Sequence, residues 1–442
     1  MDVFSEQGRL EATRKLFKRI GASTDLPFSI RLWDGSSVPM GRKADGEFFI
    51  SLSGPGVIGS LLRRPTYENL LLHYAKGNIE MHGDLLDFIT LVRAQKRPKE
   101  AKQKINPAVL LKNALPLLFT PALSGTVQHQ YRDDATGRRE ARRNNRDFIQ
   151  FHYDIGNEFY ALFLDREMQY SCGYFTGSDH SLDQAQQDKL EMICRKLRLK
   201  PGERLLDIGC GWGGLICYAA SNYGVKAHGV TLSRQQCDYA REKIQGLGLE
   251  GQVSVELRDY ATIEGSYDKI ASIGMFEHIG IANMPTYFGK INSLLRDRGI
   301  LLNHGISRHA KPTRRAVRRI RPERRLLLKY IFPGSELDNV GHTIDLLEIQ
   351  GFEVHDVEAW REHYGLTTRH WYRRLMANRE EAIRLVGPEK FHLWALYLAG
   401  VSLGFTDGSM HICQIVATKH DSKGASGLPP TREDLYRPGG GR

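Results

Sequence analysis

The residues best suited to chemistry gather in the middle of the chain. "LLDIGCGWGG" (205–214) sets Asp207 at the end of an apolar run, followed by Gly209, Gly211, Gly213 and Gly214. Glycines so spaced let a backbone turn tightly after a strand and approach a ligand where the next helix begins. A dinucleotide loop would carry its acid about 20 residues later, at the next strand end. Here that strand ends in "VTLS", without Asp or Glu. Upstream, "MQYSCGYF" (168–175) sets Cys172 among Tyr170, Tyr174 and Phe175. By type, Cys172 suits a nucleophile, a metal ligand or a plain wall. The six cysteines, at 172, 194, 210, 217, 237 and 413, form no C-x-x-C pair. Neither a structural zinc nor a disulfide framework is expected.

An acid that precedes the glycines resembles the S-adenosylmethionine loop of class I methyltransferases. The amino-acid end of that ligand is cationic at nitrogen, so a neighbouring Asp makes a charge-assisted bond. Its sulfonium carries a full positive charge, which aromatic faces stabilise.

Those residues need elements to hold them. From about 200 onward the chain alternates short apolar runs with helical ones. "ERLLDIG", "VKAHGVTLS", "VSVELRD", "YDKIASIGM" and "GILLNHGIS" read as strands. "WGGLICYAASNYG", "RQQCDYAREKIQGLG" and "MPTYFGKINSLLRDRG" read as helices. The order predicts an α/β fold, a mostly parallel seven-stranded Rossmann-like sheet with helices on both faces. "FEVHDVEAW" and "HICQIVATK" would fill one edge. Near the start, "FSIRLWDGSSVPM" reads as strand, Asp-Gly turn, strand. "GEFFISLSG" adds another strand, and "VIGSLLRRPTYENLLLHYAKGNIEMHGDLLDFITLVRAQ" reads as helices around the extended "GNIEMHG". This gives a smaller N-terminal α/β module over 1–100. Pro107, Pro116 and Pro121 interrupt 101–146, which reads as a linker. The catalytic domain is placed at 147–420 and a disordered tail at 421–442.

The motifs then stand in the order of one family. "FHYDIGNEFYALFLDREMQYSCGYF" (151–175), "LDIGCGWGG", "GVTLS", "GMFEHIG" (274–280), "NHGIS" (303–307), "KYIFPG" (329–334) and "TTRHWYRRL" (367–375) resemble cyclopropane-fatty-acyl-phospholipid synthases. The mycolic acid cyclopropane synthases are similar, without so long an N-terminal region. The resemblance implies methylene transfer from S-adenosylmethionine to the cis double bond of an acyl chain in a membrane phospholipid. A weakly nucleophilic alkene attacks the sulfonium methyl, a cation forms on the chain, and a base takes a proton from the new methyl as the ring closes. Such a pocket must exclude water, tolerate a cation and hold one modest base.

In the family that base is a bound bicarbonate. The motif match implies a cage of Cys172 and Ile306 through their backbones, with the side chains of Glu277, His304 and Tyr372. Cofactor contacts are implied at Tyr170, Ser171, Asp207, Gly209, Gly211, Thr231, Gln236, Asp259 and Tyr260. Thr231 and Gln236 would hold the ribose in place of the usual acid, and Asp259 and Tyr260 would flank the adenine. No metal is implied. Since the alkene is the nucleophile, Cys172 becomes wall and cage.

Two features depart from the family pattern. Where many members carry a cysteine, "LYLAGVSLGF" has Val401, so no thiolate is required there. A basic insertion at 308–325, longer than the family leads one to expect, follows the His304 and Ile306 positions. It suits a membrane-docking lid or a different acyl substrate. A methyl- or methylene-branched product would need the deprotonation lost or redirected, and the complete cage favours the ring.

Composition fits a surface-acting enzyme. The chain has 442 residues and a net charge of +11. Residues 308–325 carry nine Lys or Arg against one glutamate, and 137–146 five arginines against one. Such blocks suit anionic partners, nucleic acid or an acidic membrane. With the cage motifs intact the membrane is expected and nucleic acid is not. No run reaches the ~18 apolar residues of a membrane span, and the opening "MDVFSEQGRL" does not read as a signal peptide. The expected place is the cytoplasm, peripheral to the inner face of the membrane. For the N-terminal module the family implies lipid holding or a homodimer contact.

Overall fold

A computed structural model describes residues 2, 4–44, 46–94, 107–121, 123, 127–136, 145–153, 155–177, 179–313 and 320–436. Most of the basic block 137–146, Asp154 of the H-Y-D-x-G-N motif and 314–319 of the basic insertion lie outside them.

By contacts the chain divides into two units, 1–130 with 379–403, and 131–378 with 404–442. The N-terminal boundary therefore falls later than the expected 100, and a late segment joins the first unit.

The first unit holds a four-stranded sheet of β1 (Ser29–Arg31), β2 (Ser37–Pro39), β3 (Phe49–Leu52) and β4 (Ile79–His82), in the order β2-β1-β3-β4. β1 and β2 are antiparallel, and Gly35 takes φ +82° in the turn between them. A helix at Glu6–Thr24, which the sequence reading did not anticipate, is capped by the Ser5 side chain accepting from the Gly8 N–H. The segment expected to be broken by prolines forms a helix, Pro107–Leu118. Pro107 occupies its first position, where no N–H is needed, and Pro116 falls in its last turn. Burial of Ala114 and Leu117 holds the helix down.

The second unit is built on β5 (Arg204–Ile208), β6 (Lys226–Thr231), β7 (Val253–Leu257), β8 (Tyr267–Ile273), β9 (Leu295–Ser307), β10 (Phe352–Ala359) and β11 (His411–Lys419). They form one seven-stranded sheet in the order β10-β11-β9-β8-β5-β6-β7. β9-β8-β5-β6-β7 run parallel, and β11 is antiparallel to both its neighbours. Consecutive residues feed opposite sides. Leu205, Ile300 and Leu302 join one apolar cluster, and Leu206, Ile208 and Leu301 the other. Near-continuous burial along β5, β8 and the second half of β9 follows, as expected of strands covered on both faces. The edge strand β10 alternates instead. β9 begins at Leu295, earlier than the sequence reading placed it.

The tail is not disordered throughout. Asp434 accepts from Arg198 at 2.7 Å, Arg432 pairs with Asp356 at 2.5 Å, and Leu435 is buried. No described helix is long and apolar enough to cross a membrane.

Candidate active site

The strand order reverses beside β5, whose neighbours are β6 and β8. At such a point the loops after the strands part and leave a crevice. A cleft opens there, lined by the glycine loop, the segment 168–171, the ends of β6 and β8, and Lys189.

The glycine loop takes its shape from backbone conformations that only glycine adopts at no cost. Gly209, Gly211 and Gly213 have φ of +81°, +55° and +82°. A Cβ at Gly211 would meet nothing within 4 Å, so the cradle is open at that residue. A Cβ at Gly214 would strike Gln169 Nε2 at 2.1 Å, so the loop and segment 168–171 pack too closely for any side chain there. Trp212 Nε1 donates to Asn157 Oδ1 at 2.7 Å, which ties the H-Y-D-x-G-N motif to the loop.

Asp207 ends β5 fully buried, and its Oδ1 has no hydrogen-bond partner among the described residues. Burial raises its carboxyl to about 7, against the opposing charge of Lys189. Lys189, on helix Leu182–Lys196, is itself buried, and burial lowers its ammonium to about 8. It donates to Gln169 Oε1 at 2.5 Å and Ser171 Oγ at 2.9 Å. Gln186 adds a bond to the Ser171 carbonyl at 2.9 Å. On the far wall the Thr231 hydroxyl donates to Gln236 Oε1 at 2.8 Å, so Gln236 offers the cleft its amide N–H groups. Tyr153, Tyr170, Trp212 and Tyr260 supply aromatic faces. Tyr170 lies 5.1 Å from Trp371 and 6.1 Å from Tyr153, ring to ring.

Of the implied cofactor residues, Tyr170, Ser171, Asp207, Gly209, Gly211, Thr231, Gln236 and Tyr260 line this cleft. Asp259 does not; its carboxylate accepts from the Ala261 N–H at 2.9 Å and caps the short turn after β7. Lys189, Trp212, Met275 and His278 also line it, and the sequence reading gave none of them a role. An unpartnered buried carboxylate, an open glycine cradle and several aromatic faces fit a ligand with a cationic amino group and a sulfonium.

The five implied cage residues are all placed outside that lining. Glu277 and Ile306 meet directly, the Ile306 N–H donating to Glu277 Oε1 at 2.5 Å. The Ile306 N–H is thus taken by that carboxylate. Glu277 Oε2 is buried without a partner among the described residues, and burial raises the carboxyl to about 7. His304 Nδ1 lies 2.9 Å from Gln414 Nε2, its Nε2 has no partner among the described residues, and its ring meets Trp360 edge-on at 5.2 Å. Cys172 is fully buried, with Sγ 3.2 Å from the Gly173 carbonyl and 3.7 Å from that of Trp360. Trp360 therefore touches both Cys172, through its carbonyl, and His304, through its ring. Tyr372 is fully buried on helix Arg361–Ala377, one residue beyond Trp371.

All six cysteines are free and buried. Burial holds the Cys172 thiol well above its ordinary value, and no base among the described residues is bonded to it. That geometry suits a wall.

Fold and cleft together define a class I methyltransferase dependent on S-adenosylmethionine. Residues 140–415 match the sequence model of the mycolic acid cyclopropane synthetase family, and the chain belongs to that family. It is 36% identical over 420 residues to a probable fatty acid methyltransferase of Pseudomonas putida, covering 94% of this chain and 98% of that protein. It is 38% identical over 268 residues to the cyclopropane-fatty-acyl-phospholipid synthase of Escherichia coli K12, covering 61% of this chain and 66% of that one. Among solved structures, mycolic acid cyclopropane synthase CmaA1 complexed with SAH and CTAB superimposes with a TM-score of 0.58 at 31% identity. That match covers 62% of this chain and 97% of the other.

Proposed function

We propose that the protein transfers a methylene group from S-adenosylmethionine to the cis double bond of unsaturated acyl chains in membrane phospholipids, forming cyclopropane fatty acids. The observation that carries this reading is a pair of buried, unpartnered polar atoms, Glu277 Oε2 and His304 Nε2. Buried polar groups are almost always paired, so two open ends call for a small polar guest. Bicarbonate would suit both by type: its O–H would donate to Glu277 and its oxygens would accept from His304.

When bound, S-adenosylmethionine supplies an electrophilic methyl on a cationic sulfur. Asp207 holds the cationic amino end, and Tyr170 with its aromatic neighbours faces positive charge. The alkene's π pair would bond to the methyl as the sulfur–methyl bond breaks, its electrons staying on sulfur to give neutral S-adenosylhomocysteine, and positive charge would pass to the acyl chain. A bicarbonate held by Glu277 and His304 would supply the base for the proton leaving the new methyl, whose C–H pair closes the ring. Tyr372 and Cys172 complete the wall around that base. The enzyme meets its lipid as a peripheral protein at the inner face of the membrane, the positive charge of 308–325 attracting acidic head groups and the N-terminal unit helping to hold lipid or a second copy.

The test is product analysis. Purified protein, S-adenosylmethionine and vesicles of monounsaturated phospholipid should yield acyl chains heavier by one methylene and resistant to mild hydrogenation. A product that takes up hydrogen retains an alkene and rules out the ring. A second reading is transfer that leaves a methyl or methylene branch. The full-length similarity to a probable fatty acid methyltransferase favours it. Proton NMR of the product separates ring from branch.

A further inference from the structure

Behind His304 lies a buried chain of side chains to which neither the motifs nor the relatives assign a role. Lys196, on helix Leu182–Lys196, has a side chain only 1% exposed. Its Nζ bonds to Glu358 and donates to Gln414 Oε1 at 2.7 Å. Gln414, on β11, is fully buried, and its Nε2 faces His304 Nδ1 at 2.9 Å. The register of β11 on β9 sets Gln414 directly opposite His304.

Donor and acceptor logic runs one way along this chain. An ammonium donates and cannot accept, so Gln414 must turn its oxygen toward Lys196. Its NH2 group then faces His304. An amide NH2 donates and cannot accept, so His304 Nδ1 must be the bare nitrogen. In a neutral ring the proton then sits on Nε2. Burial and the charges of Lys189 and Lys196 keep the ring neutral by holding it well below its ordinary value. The Nε2 atom is the one left without a partner among the described residues. It is therefore an N–H donor waiting for an acceptor.

We infer that Gln414, itself held by Lys196, is a positioning residue that locks His304 as its Nε2–H tautomer. His304 then donates to the proton-accepting anion and is not the base. The role given to His304 rests on the bicarbonate reading above, whereas the lock stands on the hydrogen-bond geometry alone.

The test pairs spectroscopy with kinetics on the full chain. Protein carrying 15N-labelled histidine rings is compared with His304→Gln, whose missing signals identify His304. The expected wild-type spectrum shows a bare Nδ1 and a protonated Nε2, unchanged from about pH 6 to 8, where an ordinary His titrates. A protonated Nδ1 overturns the lock, and a His304→Asn spectrum supplies the assignment if His304→Gln does not fold. Gln414→Leu should mix the tautomers and lower kcat roughly 10–100-fold, the usual cost of losing a partner that orients a site residue. The KM for S-adenosylmethionine should stay unchanged, which general misfolding would not spare. Gln414→Glu puts a carboxylate against Nδ1, protonates it, and should add an ionisation to the pH profile of kcat. A lock confirmed by the spectrum with kcat unchanged in Gln414→Leu would overturn the donor role. The product analysis would still judge the ring chemistry.

Discussion

Asp207 is the residue where charge and ligand are most tightly linked. Burial raises its carboxyl to about 7, and Lys189 works against that rise. Only the carboxylate form attracts a cationic amino group, so ligand binding is fully supported above that value and lost below it. Calorimetry should find S-adenosylhomocysteine binding weakened roughly fivefold between pH 7 and 6, as the ionised fraction falls. Asp207→Asn should flatten that limb. Lys189→Met should move it to higher pH, because the cation that opposes burial is gone. The Asp could be read from sequence because it adjoins four glycines. Lys189, Lys196 and Gln414 could not, because what they do depends on partners 18 to 218 positions away. No local pattern marks a buried lysine as holding a loop.

The elements show where local signals suffice. The strands of the second unit were legible because burial on both faces makes them apolar runs. The helix after β5 was legible from its closing Gly224, which takes φ +65°. The residue that caps its start, Gly213, has φ +82°, and a Cβ there would lie 3.0 Å from the Ala240 Cβ. Gly213→Ala should therefore cost about 1–2 kcal/mol from the backbone alone, seen as a lower Tm. Prolines misled the reading of 107–118, because Pro107 and Pro116 sit near the two ends of the helix and break nothing in its middle. The tail misled for another reason: its polar, glycine-rich composition hides Leu435, which is 2% exposed. Leu435→Ala should destabilise the second unit by about 2 kcal/mol, measurable in urea, at the lower end of such truncations because the surface lies close by.

For the whole molecule the electrostatic balance is the main lever. A net charge of +11 attracts the chain to acidic surfaces, and exposed charges are screened beyond about 8–10 Å at ordinary ionic strength. Co-sedimentation with vesicles rich in anionic lipid should fall sharply as salt is raised. Binding that ignores salt would remove the docking role of 308–325. The resemblance carried the fold of the second unit, since the motifs at 205–214, 229–233, 274–280 and 303–307 sit at strand ends that a parallel sheet brings together. The unit boundaries were not legible. A division that returns 379–403 to the N-terminal unit depends on contacts between segments far apart in sequence.

The buried thiols turn the protein into its own stopwatch. A thiol must be exposed and ionised before an alkylating reagent can take it, and all six are buried, with Cys172, Cys194 and Cys210 held well above their ordinary range. Iodoacetamide should thus leave the native enzyme unmodified, and each label that appears by mass spectrometry marks an opening event at a known place. Cys172 would time the loosening of the wall between Trp360 and Gly173, Cys413 that of β11, and Cys237 that of the helix behind β6. Six clocks at six places would map which parts of the enzyme let go first, with no engineered probe.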